Sequence, residues 1–189
     1  MSLILKNSIK IFLFSAPLVV QAASLDINVG NETVGLAYMG AFSNSELNLN
    51  ISGMHHQEDR DVLSAGISVV EYADKESFIG VGGNLYTFNT HEIDGSGIAL
   101  GGFFRQDLGM VPHLGLGGQA YFGPSIVSMD SADDFLDATM RLEYQVIQQA
   151  NLYVGYRKTK VYLDKETKAN TNSDGSIDSS WLIGLRMIF

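Results

Sequence analysis

The sequence reads as an all-β protein, a closed antiparallel transmembrane β-barrel of about ten strands, with eight as the alternative count. Three observations lead there. Segments of about ten residues alternate apolar and polar side chains from Thr33 onward, separated by turn residues, which is the pattern of strands facing lipid on one side and a polar interior on the other. The connections between these segments alternate between short and long. The last nine residues carry Trp181, Ile183, Leu185, Met187 and Phe189 on one strand face and Leu182, Gly184, Arg186 and Ile188 on the other. An arginine on one side of an otherwise apolar strand needs a polar place to point, so this segment separates two solvents.

The chain opens with Lys6 and Lys10, the apolar run Ile11–Val20, and Gln21-Ala22-Ala23. This is the layout of a secretory signal peptide, with cleavage expected after Ala22, leaving residues 23–189 as one barrel domain. The apolar run is about half the roughly 20 residues a membrane-spanning helix needs, and no later stretch approaches that length. Losing Lys6 and Lys10 with the leader leaves ten basic against 21 acidic residues, a formal charge of −11. Such a balance argues against nucleic acid as a partner, because phosphate binding needs clustered Lys and Arg. The absence of cysteine removes disulfides and thiol chemistry. Twenty glycines against three prolines favour a barrel, where strand glycines mark close backbone approach.

Taken in order, the elements are as follows. Leu25–Gly30 is a short first strand, turned by Asn31-Glu32 into Thr33–Ala41, where Val34, Leu36 and Tyr38 share a face. Ser45–His55 sets Leu47, Leu49 and Ile51 against Glu46, Asn48, Asn50 and Ser52. Asp61–Glu71 sets Leu63, Ala65, Ile67 and Val69 against Ser64, Gly66 and Ser68. Ser77–Phe88 offers Ile79, Val81, Gly83 and Leu85, and Gly95–Gln106 offers Ile98, Leu100, Gly102 and Phe104 opposite Ala99, Gly101 and Arg105. His113–Phe122 alternates Leu114, Leu116, Gly118, Ala120 and Phe122 with Gly115, Gly117, Gln119 and Tyr121. Phe135–Ile147 is the clearest case: Leu136, Ala138, Met140, Leu142, Tyr144 and Val146 interleave with Asp137, Thr139, Arg141, Glu143 and Gln145. Asn151–Leu163 sets Leu152, Val154 and Tyr156 against Tyr153, Gly155, Arg157 and Thr159, and the Trp181–Phe189 strand closes the set.

Read backwards from the C-terminus, Asp164–Ser176 is a long connection, Gln148–Ala150 short and Gly123–Asp134 long. Asp107–Pro112 and Tyr72–Glu76 are moderate, and Phe42–Asn44 is short. Short turns on one side and longer loops on the other fit a periplasmic C-terminus with the long loops outside. Nine crossings follow Thr33, and single-chain bacterial barrels have an even number. Ten therefore requires Leu25–Gly30 to be a strand, although six residues fall short of the roughly 9–11 a crossing uses.

The C-terminal strand, with its terminal Phe189 and apolar residues at every second position before it, resembles the end signal that the barrel-assembly machinery reads in bacterial outer-membrane barrels. Further stretches carry a resemblance to one family: Leu25-Asp-Ile-Asn-Val-Gly-Asn-Glu-Thr-Val-Gly-Leu, His55-His56-Gln-Glu-Asp-Arg-Asp-Val-Leu-Ser-Ala-Gly, and Leu152-Tyr-Val-Gly-Tyr-Arg157, together with the Trp181–Phe189 ending. In this order they resemble the YfaZ family of Gram-negative outer-membrane proteins. The resemblance implies an exported outer-membrane barrel, and it brings no catalytic residues with it. Outer-membrane lipids, lipopolysaccharide and the assembly machinery are the partners this implies.

Inward charge is the most informative chemistry. Arg105, Asp137, Arg141, Glu143, Arg157 and Arg186 fall on polar strand faces, where they either pair and fill the lumen or line a narrow polar path. Unpaired buried charge is costly, so pairing is the expected arrangement. Leu142→Arg should then cost more than Glu143→Gln, provided that Glu143 is not a key partner. His55 and His56 with Glu58, Asp59 and Asp61 are competent metal ligands, but adjacent strand residues point opposite ways, so a solvated loop is expected. Asn170, Asn172, Asp174, Gly175 and Asp178 echo the start of a calcium loop, yet position twelve is Trp181 rather than a bidentate acid. No metal or cofactor is expected. Tyr38, Phe42, Tyr72, Phe78, Phe104, Phe122, Tyr144, Tyr162, Trp181 and Phe189 lie near strand ends, as interfacial belts would place them. The function expected is a non-enzymatic barrel of structural or narrow-channel type. The alternatives are a rim enzyme that modifies or hydrolyses lipid, for which His91, Glu92 and Ser96 are the nearest set, and a soluble periplasmic ligand-binding barrel.

Overall fold

A computed structural model describes residues 23–42, 45–58, 60–74, 77–89, 94–124, 128–130, 132–163 and 176–189. The expected leader, residues 1–22, lies outside them. Ten long strands run β1 (Ala23–Gly30), β2 (Thr33–Ala41), β3 (Leu47–His56), β4 (Arg60–Tyr72), β5 (Phe78–Asn89), β6 (Asp94–Asp107), β7 (Leu114–Gly123), β9 (Ala132–Ile147), β10 (Ala150–Leu163) and β11 (Ser176–Ile188). A three-residue strand, β8 (Ser128–Asp130), pairs beside the start of β6. Every long strand is antiparallel to its sequence neighbour, and β7 pairs with β9.

The ring closes because β1 lies between β2 and β11. Its ladder with β11 runs from Ser24 opposite Ile188 to Gly30 opposite Leu182. Two further bonds tie its first residue to the last of the chain, Phe189 N–H to the Ala23 carbonyl at 2.8 Å and Ala23 N–H to the Phe189 carbonyl at 3.3 Å. The first hairpin is therefore a true pair of strands and the cylinder has ten staves, not eight. Pattern reading starts this strand at Leu25 because Ala23 and Ser24 carry no alternation, but backbone pairing does not need it.

Pattern reading also stops short on the other side of the seam. It begins the last strand at Trp181, whereas β11 begins at Ser176, and β9 begins three residues before Phe135. Ser179 and Ser180 carry no apolar signal, yet they pair with Lys158 and Arg157 of β10. The ladder runs on past the apolar belt wherever a neighbouring strand offers hydrogen bonds.

The wall is apolar outside and polar inside. Leu85 and Leu100 are each 64% exposed and Ile183 is 68% exposed, while Glu143 is fully enclosed. Leu63, Ile67, Val81, Leu142, Leu152 and Val154 continue the outward belt. An apolar surface that encircles the molecule far exceeds the patches a water-soluble monomer leaves exposed. Of the aromatic residues expected at the interfaces, Phe42, Tyr72, Phe122, Tyr144, Tyr162, Trp181 and Phe189 are exposed. Tyr38, Phe78 and Phe104 are half-buried. Phe78 sits opposite Arg105 in the β5–β6 ladder, so it takes the interior phase and packs its ring 6.1 Å from that of Phe103.

Leu142→Arg puts a charge on the lipid-facing side of β9. It should lower the unfolding free energy by about 2–4 kcal/mol if it lies near mid-membrane, measured by urea titration of the barrel in vesicles.

Candidate functional site

The interior phases of β9, β10, β11 and β1 bring the charges together. On β9, Arg141 and Glu143 are two residues apart and so point the same way. Both β7 residues directly opposite them are glycines, Gly117 and Gly115. A methyl group at Gly117 would lie 2.7 Å from Glu143 Oε1 and 3.0 Å from Arg141 Nε, so the backbone there is bare where two large side chains cross it.

Glu143 is the hub nearer the end that carries the chain termini. Arg105 Nε donates to Glu143 Oε2 at 3.0 Å, Arg186 Nη1 to the same oxygen at 3.4 Å, and Arg141 Nε lies 2.5 Å from Oε1. Asn151 Nδ2 adds a neutral donor to Oε2 at 3.4 Å. Asp26, brought across the seam by β1, is the second anion of this cluster. It accepts Arg141 Nη1 at 3.1 Å and the Tyr153 hydroxyl, with Arg186 Nε 3.8 Å away. The Arg141 guanidinium also stands over the Tyr153 ring, 5.2 Å from its centre.

A second cluster lies toward the opposite, far end. Arg157 spends its three nitrogens on Asp178 Oδ2 (2.7 Å), Asn28 Oδ1 (3.0 Å) and Thr33 Oγ1 (2.8 Å). Asp178 Oδ1 accepts Ser180 Oγ at 2.7 Å. Asp137 is held by neutral groups, the Thr159 hydroxyl and the Gln119 amide, each at 3.0 Å, and forms no ion pair among the described residues. The two clusters together contain four arginines and four carboxylates: the first carries a surplus positive charge and the second a surplus negative one. Their sum is zero.

The remaining interior differs from wall to wall. On β3, β4 and β5 it is lined by small neutral groups such as Asn50, Ser52, Ser64 and Asn84, and a cavity of about 180 Å³ separates these from Asp137, Arg141 and Arg157. The far end is apolar. Tyr86 and Phe135 stack with ring centres 4.1 Å apart, and Phe88, Ala99, Tyr121, Val161 and Ile177 complete a buried cluster.

The structure brings Arg105, Arg141, Glu143 and Arg186 into one contact set, places Arg157 in the next, and among the described residues gives Asp137 no ion-pair partner. The proviso on Glu143 fails: it is the principal anion, so a neutral substitution there is not mild. Pattern reading missed Asp26, Asn28, Asn151, Tyr153 and Asp178 as partners. Asp26 and Asn28 were visible as the polar alternates of Leu25, Ile27 and Val29, had that strand been trusted. Asp178 falls between the expected loop, Asp164–Ser176, and the expected strand start at Trp181, and the structure places it in β11. As one end of the calcium-like pattern it is engaged with Arg157, and the remainder of that pattern lies outside the described residues.

His55 is exposed and pairs with Asp61 at 2.6 Å, while His56 is buried and meets Glu32 at 3.3 Å. They do face opposite ways, but both lie on β3 rather than in the solvated loop expected, because the ladder with β4 continues to His56 opposite Arg60. Among the described residues no group of three or more His, Cys, Asp or Glu side chains is arranged to hold a metal. His91 and Glu92 lie outside the described residues, so Ser96 stands without a describable partner set.

A closed antiparallel cylinder with a greasy outer surface and a charged, hydrogen-bonded interior is the architecture of an outer-membrane β-barrel. The chain belongs to the YfaZ family: the family model described as YfaZ precursor matches residues 4–185. Comparison with curated proteins finds no match. Among solved structures the chain is similar to a KdgM porin at 12% identity and a TM-score of 0.47. It is also similar to a KdgM porin in complex with disordered oligogalacturonate, at 10% identity and a TM-score of 0.46. Each likeness covers 89% of this chain and 99% of the other.

Glu143→Gln removes the negative charge shared by three arginines. Breaking a buried pair in this way costs about 3–5 kcal/mol, so the variant should unfold at clearly lower urea concentration than wild type. An Asn151→Ala control, which removes one long hydrogen bond to the same carboxylate and leaves its charge in place, should fall much less.

Proposed function

We propose that the protein is an integral outer-membrane barrel of structural or narrow-channel type, whose lumen is largely filled by its own neutralised charge network and which has no catalytic role. The observation that carries this reading is the enclosure of Glu143 by Arg105, Arg141 and Arg186 within two lumen clusters whose eight charged groups sum to zero. A pore built to attract an ion needs a surplus of the opposite sign along its path; here the opposed surpluses of the two clusters cancel. The stacked Tyr86–Phe135 pair and its neighbours support a closed far end, because apolar constrictions exclude water and with it dissolved ions. On this reading residues 1–22 direct export. The outward Trp181, Ile183, Leu185, Met187 and Phe189 present the strand to the assembly machinery, and the belt contacts outer-membrane lipids.

Conductance across a planar bilayer tests the reading. The wild-type barrel should show no large steady opening, whereas Tyr86→Ala with Phe135→Ala should raise conductance by thinning the far-end closure. A wild-type barrel that conducts steadily like an open pore would refute the filled lumen. For assembly, Phe189→Ala should reduce the amount of heat-modifiable barrel in outer-membrane fractions, because the terminal aromatic is lost while Arg186 and the interior are unchanged.

A further inference from the structure

Seven Lys or Arg side chains fall within the described residues. Arg105, Arg141, Arg157 and Arg186 are buried in the lumen with carboxylate partners. Arg60 pairs with Glu58 and also donates to the Ser176 carbonyl. That leaves Lys158 and Lys160, which have no acidic partner among the described residues. Both take the outward phase of β10, alternating with the inward Arg157, Thr159 and Val161.

Their height on the wall is set by the ladder. Tyr156 pairs with Met140 and Trp181, Lys158 with Ala138 and Ser179, and Lys160 with Leu136 and Ser176. The Tyr156 and Trp181 rings pack edge to face at 5.6 Å immediately below the lysines, and Lys160 lies 5.2 Å over the Tyr162 ring above. The two cations thus stand at the edge of the apolar belt, level with Leu136 and framed by interfacial aromatics, at the end opposite the termini. Lysines at this level extend their charged ends to the headgroup zone. Among the described residues no carboxylate neutralises them there, so a mobile anion of the membrane surface is the fitting counter-charge. Among the described residues the far rim elsewhere carries acids, including Glu32, Glu58, Asp61 and Asp94, which sets this pair of lysines apart.

We propose that Lys158 and Lys160, framed by Tyr156, Trp181 and Tyr162, form a docking point for a phosphorylated lipid headgroup of the outer leaflet. The inference rests on the outer-membrane reading above and names the residues that would hold such a lipid. The test uses the full mature barrel in detergent, with native mass spectrometry reading retained lipid. The probes are lipid A carrying its two phosphates, the same lipid enzymatically dephosphorylated, and inorganic phosphate. Wild type should retain phosphorylated lipid A. The double variant Lys158→Gln/Lys160→Gln should bind it about 30-fold more weakly, from the usual contribution of a basic side chain near an anionic membrane surface taken twice, and Lys158→Arg/Lys160→Arg should restore binding. Raised salt should weaken wild-type binding, since these charges are exposed. Equal binding by wild type and the Gln variant, equal binding of the dephosphorylated lipid, or competition by inorganic phosphate at concentrations similar to the lipid's would overturn the proposal. Arg60→Gln, on the same rim but already paired, should leave retention unchanged. A chain that stays soluble without detergent would instead sink the membrane reading itself, so the two failures are distinguishable.

Discussion

The molecule depends on the seam between β1 and β11. In hydrocarbon no water is available to satisfy an open sheet edge, and each unsatisfied backbone group costs several kcal/mol. A sheet of ten strands in lipid is therefore stable only if its first and last strands find each other. Here they do so over seven register pairs, from Ser24–Ile188 to Gly30–Leu182, with the chain ends tied together beyond them. The side chains reinforce the same seam. Asp26 is bonded or paired to Arg141, Tyr153 and Arg186, and Arg157 reaches across to Asn28 and Thr33. Polar groups of β1 and β2 thus meet arginines of β9, β10 and β11, so closing the backbone ladder and neutralising the lumen are one event.

That coupling explains why the interior can hold so much charge. Isolated buried ions are prohibitively costly, and paired ions merely recover part of their desolvation. A barrel offers a particular compensation: its wall orients polar groups inward from every side, so one carboxylate can take several donors. Glu143 does this with three arginines and Asn151, and it needs the bare backbone of Gly115 and Gly117 to make room. The specificity gained is positional. A register slip of one residue would turn Glu143 and Arg141 into lipid and Leu142 into the lumen, a change no local rearrangement could absorb.

Much of this was legible in the letters, because period-two alternation on β9 and β10 reports both faces at once. Leu142 between Arg141 and Glu143 leaves little choice of phase. The legibility fails wherever one of the two faces goes silent. Ser24 at the start of β1, and Ser179 and Ser180 in β11, have too little apolar contrast to announce a strand, so Asp178 is left outside the strand that the pattern announces. Phe78 misled for the opposite reason: an aromatic near a strand end suits a membrane interface, yet its position opposite Arg105 fixes it inside. Partner identity was less accessible still. Arg105 and Glu143 are 38 residues apart, and Asp26 and Arg141 are 115 apart; only the closed topology puts them at one height.

The overrun of β9, β10 and β11 past the apolar belt links interior to exterior. Continuing the ladder above Tyr156 and Trp181 obliges β10 to alternate through Arg157, Lys158, Thr159 and Lys160, so the same extension supplies one basic group to the lumen and two to the outer wall. Inside, the extra height is what carries Asp178 to Arg157, since a strand beginning at Trp181 would leave that guanidinium without its anion. Outside, no such partner arrives among the described residues, and Ser179 and Ala138 are the lateral neighbours of Lys158. A single stretch of backbone therefore satisfies its inward cation from within the fold, while its outward cations meet no acid among the described residues. On the docking proposal, the physical difference between the two faces is whether the barrel itself or the membrane provides the counter-charge.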